Sequence, residues 1–358
     1  MLFPNGCNSV EQMKRTVLTL LLLAAALYTA VAQDIKVTEL PQQKLLVMTG
    51  QYSGITYLSG DRYAVVDDKL QGGGIVFFDI PLRKNGTVKV HQVKRTVPVA
   101  TLVAEVDGLD NEGIVCADGK LYVSAEADQS IREYDMDGYP TGRSFAIPAD
   151  MGPDAIVGNG GFEPLTYNAV TGKFWTTTEL PLKAETEASR LHRLQRFDAT
   201  HQPDARYLYQ MDEPLMPASE AAIARAYVHG IPALAALDDG RLIVLEREVC
   251  VPSGQPQDIL RKAFAQVKLY VVDPSAPSSG ILEKHLLCAF ETRINRRFSG
   301  INVALANYEG MCLGPRLADG RQCLILISDS QAGMSSLAAK LGRKRLTADY
   351  IKILLLEY

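Results

Sequence analysis

The sequence predicts an all-β protein, a β-propeller of four-stranded antiparallel blades. Three observations carry that reading. A strand–turn–strand unit recurs five times along the chain, and a repeat of this kind decides the fold before any single element does. The turns inside the units read LSGD, ADGK, AVTGK, DDGR and ADGR, which are hairpin signals. Further strand-like segments follow each unit, and the last unit lacks one that the N-terminal region can supply.

Taken in order, the units are YSGITYL with RYAVVDD (52–58, 62–68), NEGIVCA with LYVSAE (111–117, 121–126) and FEPLTYN with FWTTTE (162–168, 174–179). IPALAAL with RLIVLERE (231–237, 241–248) and YEGMCLG with CLILISDS (308–314, 323–330) complete the series. Outer strands are expected in GGIVFFDI and VKVHQVKR, SIREYDMDG and RSFAIP, RLHRLQRFDA and ARYLYQM, and KLYVVDP and KHLLCAFE. After the fifth unit only DYIKILLLEY remains, so IKVTEL or KLLVMT near the N-terminus is expected to close that blade. Five repeats are visible, and a sixth stays open because FSGIN (298–302) resembles YSGIT (52–56). Two insertions read as helical, Ala218 to Tyr227 and Ala332 to Leu341. A two-domain β-sandwich is the rival architecture, and it would not repeat one hairpin pattern at this spacing.

The first 32 residues are expected to be leader. A basic stretch at Met13-Lys14-Arg15 precedes an apolar run from Val17 to Tyr28 and a small-residue site, Ala30-Val31-Ala32, before Gln33. That is the layout of a secretory signal peptide, so a secreted or periplasmic location is expected, with one domain over residues 33–358 and no membrane span after cleavage. Removing Glu11, Lys14 and Arg15 takes the net charge from −4 to −5. So mild a charge gives no reason to expect nucleic acid as a partner. The cysteines beyond the leader, Cys116, Cys250, Cys288, Cys312 and Cys323, show no C-x-x-C spacing and no zinc pattern. They read mainly as small buried hydrophobes, although Cys312 and Cys323 flank one turn and could face each other.

Propeller geometry gives the acids a common address. The start of each first strand and the end of each second strand lie at one rim. Glu112, Glu163 and Glu309 interrupt apolar first strands at the same repeat position. Asp67, Glu126, Glu179, Glu246 and Asp329 end second strands. Asp68 and Glu248, each beside another acid, are expected to point outward. Carboxylates gathered in a partly enclosed mouth need positive charge among them. An all-oxygen donor set suits a hard cation, Ca²⁺ above all. Arg247, Arg293, Arg296, Arg297, Lys340, Arg343, Lys344 and Arg345 are the basic residues expected near the same rim. A cation and bases together could capture a small anionic ester. The competing reading makes the acids caps of loop N–H groups or interblade locks. No G-x-S-x-G elbow, H-E-x-x-H pair, P-loop or dinucleotide fingerprint is present, which sets aside those chemistries. Among the five histidines only His192 and His229 fall near the loops of interest, where they read as surface or loop residues.

D-N-E-G-I, N-G-G-F-E-P-L-T-Y, F-W-T-T-T-E and G-R-L-I-V-L-E-R-E resemble motifs of the phytase-like family, described by its esterase-like activity of phytase. The resemblance spans about residues 45 to 358. It implies a secreted propeller that hydrolyses phosphate or other esters, with acids at the mouth binding Ca²⁺ to hold phosphate and activate water. By motif position it points to Glu112, Glu163, Glu309 and the pair Glu246-Arg247 as site residues. Non-catalytic ligand binding and a lactonase-like calcium propeller stay open beside it.

Overall fold

The computed structural model describes residues 35–48, 50–68, 70, 74–103, 109–185, 189–276, 280–294, 304–331 and 347–358. Within them the hairpin turns fold as their residues dictate. Gly60, Gly119, Gly172, Gly240 and Gly320 all take positive φ, the left-handed backbone that lets a tight turn close. Blade one contains β3 (Tyr52–Ser59), β4 (Arg62–Asp67), β5 (Ile75–Asp79) and β6 (Lys94–Thr96). Blade two contains β7 (Asn111–Ala117), β8 (Lys120–Ala125), β9 (Ser130–Tyr134) and β10 (Pro140–Ser144). Blade three contains β11 (Phe162–Asn168), β12 (Lys173–Thr178), β13 (Leu191–Phe197) and β14 (Pro203–Gln210). Blade four contains β15 (Ala226–Ala236), β16 (Leu242–Val251), β17 (Phe264–Val272) and β18 (Lys284–Arg293).

Blade five closes the ring. Its inner strands β19 (Asn307–Arg316) and β20 (Gln322–Asp329) are followed by β21 (Tyr350–Glu357), and β1 (Lys36–Glu39) supplies the outer strand in the order β1-β21-β20-β19. Lys36 pairs with Glu357 and Glu39 with Leu354. The short β2 (Gln43–Lys44) pairs with the other end of β21. Of the two segments expected to close the blade, IKVTEL supplies the outer strand, and KLLVMT takes part only through Lys44. The protein is a five-bladed propeller, and FSGIN lies outside the described residues.

Apolar side chains alternate along the strands and meet in the clefts between neighbouring blades. Val65, Phe78, Ile325 and Ile353 pack between blades five and one, and Ile75, Ile114 and Val123 between one and two. Tyr122, Phe162, Phe174 and Phe197 fill the cleft between two and three. Trp175, Leu194 and Val244 fill the next, and Ile243, Leu269, Leu324 and Leu354 the last. Each cleft holds its own small core, so the ring is stabilised by burial at every blade boundary.

The inner strands share one irregularity. The pairing register slips between Tyr52 and Ile55, Asn111 and Ile114, Phe162 and Leu165, Gly230 and Ala233, and Tyr308 and Gly310. That is a β-bulge at one repeat position in every blade. The bulge residues are Ser53-Gly54, Glu112-Gly113, Glu163-Pro164, Ile231-Pro232 and Glu309-Gly310. A Cβ on Gly113 would stand 2.4 Å from the Glu163 carbonyl oxygen, and one on Gly54 2.4 Å from that of Glu112. Neighbouring inner strands therefore touch backbone to backbone here. The space left on the axis below the bulge is about 10 Å³, room for one water at most.

Some expectations need correction. The insertion at Ala218 is helical only over Ala218–Ala221. Pairing of Ala226 and Tyr227 with Val251 and Cys250 draws the following residues into β15 instead. Short helices at Val99–Val103 and Pro256–Lys262 were not expected. The second of these carries Pro at its start, Asp258 in its first turn, and Arg261 with Lys262 in its last, a legible signal. The Ala332 to Leu341 insertion and the leader lie outside the described residues. Cys116, Cys250, Cys288, Cys312 and Cys323 are free thiols, and Cys250, Cys312 and Cys323 are buried as expected. Among the described residues no helix is long and apolar enough to cross a membrane.

Candidate functional site

The five bulges sit where first strands leave the mouth, opposite the ends of the second strands. Asn111 pairs with Ala125, Phe162 with Thr178, Gly230 with Arg247 and Asn307 with Asp329. The bulge brings Glu112, Glu163 and Glu309 to the mouth, where Glu126, Glu179 and Arg247 arrive from the returning strands. One carboxylate oxygen from each of Glu126, Glu163 and Glu179 lies within 4.8 Å of the others, and all three residues are buried. A second group, Asp68, Asp110 and Glu112, meets the same criterion.

Arg247 is the cationic centre of the mouth and is 3% exposed. One guanidinium nitrogen donates to Glu179, and the other donates to Glu309 and, at 3.0 Å, to Asn307 Oδ1. Asn307 Nδ2 donates to Glu309 at 2.7 Å. Arg247 thus ties blades three, four and five together, and its charge-assisted bonds are of the strong kind. Its Nε–H finds no partner among the described residues. Glu126 accepts the Gly161 N–H at 2.6 Å through Oε1, while its buried Oε2 has no hydrogen-bond partner among the described residues.

The electrostatics follow from burial. Desolvation pushes the Glu163 carboxyl well above the usual carboxylate range, and the charges of Glu179 and Glu112 push it further. Holding its proton, Glu163 hydrogen-bonds to Glu179. Glu179 is also raised by burial, against the pull of Arg247. Burial raises Glu112 well above its ordinary value, with the charge of Glu309 next and a hydrogen bond from Ser53 opposing. Glu309 is raised by burial with Arg247 opposing, and Glu126 is pushed up to about 7, mainly by burial. Asp329 is raised well above its usual range by burial and then by the charge of Glu309. Among the described residues negative charge here outruns the one arginine, a difference that protons or a cation can make up.

Two expected site residues do not join the mouth. Asp67 pairs with Arg95 at 2.9 Å and accepts the Gln51 N–H at 3.2 Å, which fixes it within blade one. Glu246 accepts from the Tyr209 hydroxyl at 2.5 Å, Lys284 at 2.6 Å and the Asp212 N–H at 3.1 Å. It faces blade three because Arg247, its neighbour along β16, faces blade five. Asp68, expected outward, instead joins the Asp110 and Glu112 group. Glu248, also expected outward, is buried and caps the Leu215 and Met216 N–H groups at 2.6 and 2.8 Å. His192 and His229 lie on β13 and β15 rather than in loops. His192 is buried, its Nδ1 3.2 Å from the Thr178 carbonyl, and burial lowers its pKa to about 3. Arg293 pairs with Glu291 at the surface. Arg296, Arg297, Lys340, Arg343, Lys344 and Arg345 lie outside the described residues. Asp110 and Asn307 were missed, though both stand at one repeat position, immediately before the bulge acid's neighbour in D-N-E-G and A-N-Y-E-G.

The model of the phytase-like family, described as esterase-like activity of phytase, matches residues 48–331. The chain belongs to this family. No curated protein matches the sequence. Similar solved structures include a streptogramin B lyase, 11% identical over 90% of this chain and 98% of that one, with a TM-score of 0.33. A chain of a nidogen/laminin complex is 10% identical over 84% and 87%, with a TM-score of 0.40. Glutaminyl cyclase of Myxococcus xanthus is 9% identical over 90% and 98%, with a TM-score of 0.38. At such identities and TM-scores the likeness says nothing about activity.

Proposed function

We propose that this phytase-like propeller is an ester hydrolase working at the carboxylate mouth with a bound hard cation, calcium by preference. The observation that carries this reading is the buried group Glu126, Glu163 and Glu179 with Glu126 Oε2 left unpartnered. An all-carboxylate donor set matches calcium's preference for oxygen, and those three residues would hold it. When bound, the cation would polarise the ester and lower the pKa of a water.

The chain's own residues supply the rest. Glu163, buried between Glu179 and Glu112, would serve as a carboxylate ligand of that cation and so set where the ester sits. Arg247 holds Glu179 and Glu309 in fixed positions. Its unpartnered Nε–H is a donor for negative charge developing on a substrate oxygen. A phosphate ester, the anionic substrate expected from the sequence, enters this negative mouth only when the cation offsets the carboxylates. One observation favours a second reading, a neutral carboxyl ester or lactone: both terminal nitrogens of Arg247 are already engaged by acids. We also propose that the chain works outside the cytoplasm, on the strength of its leader, and a mature N-terminus at Gln33 checks that.

The test is turnover of phosphate monoesters, carboxyl esters and lactones by purified protein, with calcium and after chelation. Calcium-dependent turnover that Glu163→Gln abolishes supports the site. No turnover of any class, with calcium binding intact, leaves a binding propeller instead. Turnover unchanged by Glu163→Gln removes the site assignment and leaves the fold.

A further inference from the structure

We propose that a cavity between blades four and five is the subsite for a short, uncharged aliphatic group of the ester, about four carbons long. This rests on the hydrolase reading above. The cavity measures about 100 Å³ and is bordered by Ala226, Tyr227, Val228, Val249, Asn307, Gln331 and Thr347. It exists because β15 and β16 run on past the mouth, where Ala226 pairs with Val251 and Val228 with Val249.

Its position ties it to the site. Val249 lies two residues beyond Arg247 on β16 and so shares its face. At about 3.3 Å per strand residue it stands about 7 Å from Arg247. Asn307 belongs to both places. It borders the cavity, and its side-chain amide holds Arg247 at 3.0 Å and Glu309 at 2.7 Å. An ester bound at Arg247 would therefore extend one of its groups past Asn307 into the cavity.

The walls select the guest. Ala226, Val228 and Val249 offer only apolar surface. Most polar groups are already committed: the Tyr227 hydroxyl to Glu248 at 3.3 Å, the Thr347 hydroxyl to the Ser330 carbonyl, and both ends of Asn307 to the site, which leaves the Gln331 amide at the exposed edge. No charged side chain borders the cavity among the described residues. A hydroxyl-rich or phosphorylated ring would lose its water there and find only the Gln331 amide in exchange. An engineered cavity of about 150 Å³ takes up benzene, so this smaller one suits a chain of about four carbons.

The experiment uses the full chain with calcium and the p-nitrophenyl esters of acetate, butyrate and octanoate. Two buried methylenes at about fourfold each should favour butyrate over acetate by about fifteenfold in kcat/KM, with octanoate falling back. Ala226→Leu, which fills the cavity, should bring the butyrate-to-acetate ratio close to one. Val249→Ala, which enlarges it, should move the optimum to longer chains, a gain that misfolding cannot mimic. A flat series in the wild type, or variants that leave the ratio unchanged, overturns the subsite while turnover itself stands. A separate titration with butyramide, neutral and not an ester, should shift the methyl resonances of Val228 and Val249 more than acetamide does. Those shifts without turnover of any ester would support the subsite and sink the hydrolase reading. No shifts would overturn the subsite.

Discussion

Without a cation, the mouth should make the protein less stable as pH rises, the opposite of the usual behaviour of salt-bridged carboxylates. Glu126 shows the size of the effect. Its carboxyl is raised from 4.5 to about 7 in the folded chain. Between those values the folded state holds a proton that the unfolded state has released, so stability falls as pH climbs through that window. At about 1.36 kcal/mol per pH unit the full shift is worth about 3 kcal/mol. Glu126 is buried, and with a discount for screening by nearby water about 2 kcal/mol is the better figure. For a chain this long that is about 4 °C in Tm. Glu112, Glu163 and Asp329, raised in the same direction mainly by burial, add to the same slope. The assay is thermal unfolding in a chelating buffer at pH 5, 6, 7 and 8, for wild type and Glu126→Gln. The wild type should lose Tm across the series, and the variant should lose about 4 °C less between pH 5 and 7. A wild-type Tm that rises with pH, or a variant curve parallel to it, would refute the account of a proton-loaded mouth.

Further outcomes can be measured on the same material. Calcium at a hundredfold excess over its Kd should stabilise the wild type by about 2.7 kcal/mol, more strongly at pH 8 than at pH 5, and Glu126→Gln should blunt that response. Arg247→Met should cost about 3 to 5 kcal/mol, because Glu179 and Glu309 are left buried without their counter-charge; chemical denaturation would show it. Glu246→Gln should lower stability through loss of the Lys284 and Tyr209 contacts yet leave the calcium-induced Tm shift intact, since that carboxylate faces blade three. Gly113→Ala should destabilise by roughly 2 kcal/mol or more, its Cβ forced against the Glu163 carbonyl oxygen, whereas Gly119→Ala, in open space at φ 71°, should cost about 1 kcal/mol.

Much of this site could be read from the order of residues alone. The repeat located the blades, and three acids at one repeat position pointed to one mouth. What failed was parity. Strand residues alternate between two faces, so of Asp67 and Asp68, or of Glu246 and Arg247, only one member can reach the mouth. A simple count along the apolar residues should decide which. The bulge at Glu112-Gly113 and its equivalents inserts an extra residue and resets that count in each inner strand. Its trace in the sequence is the Gly or Pro at the second bulge position of all five units, which follows an acid in three, Ser53 in blade one and Ile231 in blade four. Asp110 and Asn307 went unnoticed because neither interrupts an apolar run. The helix at Ala218 was overrun by a strand because pairing with β16 outweighs weak local propensity.

The joint in blade five also sets an order of events. Four blades are built from neighbouring stretches of chain and can form as soon as those stretches exist. The fifth needs Lys36 beside Glu357, so its outer strand must wait until β21 has been synthesised. Closing so long a loop costs only slightly more than closing a short one, because the entropy grows with the logarithm of length. The delay falls on time: until β21 arrives, β20 has an open edge, and that edge is where a newly made chain is most exposed to pairing with another copy.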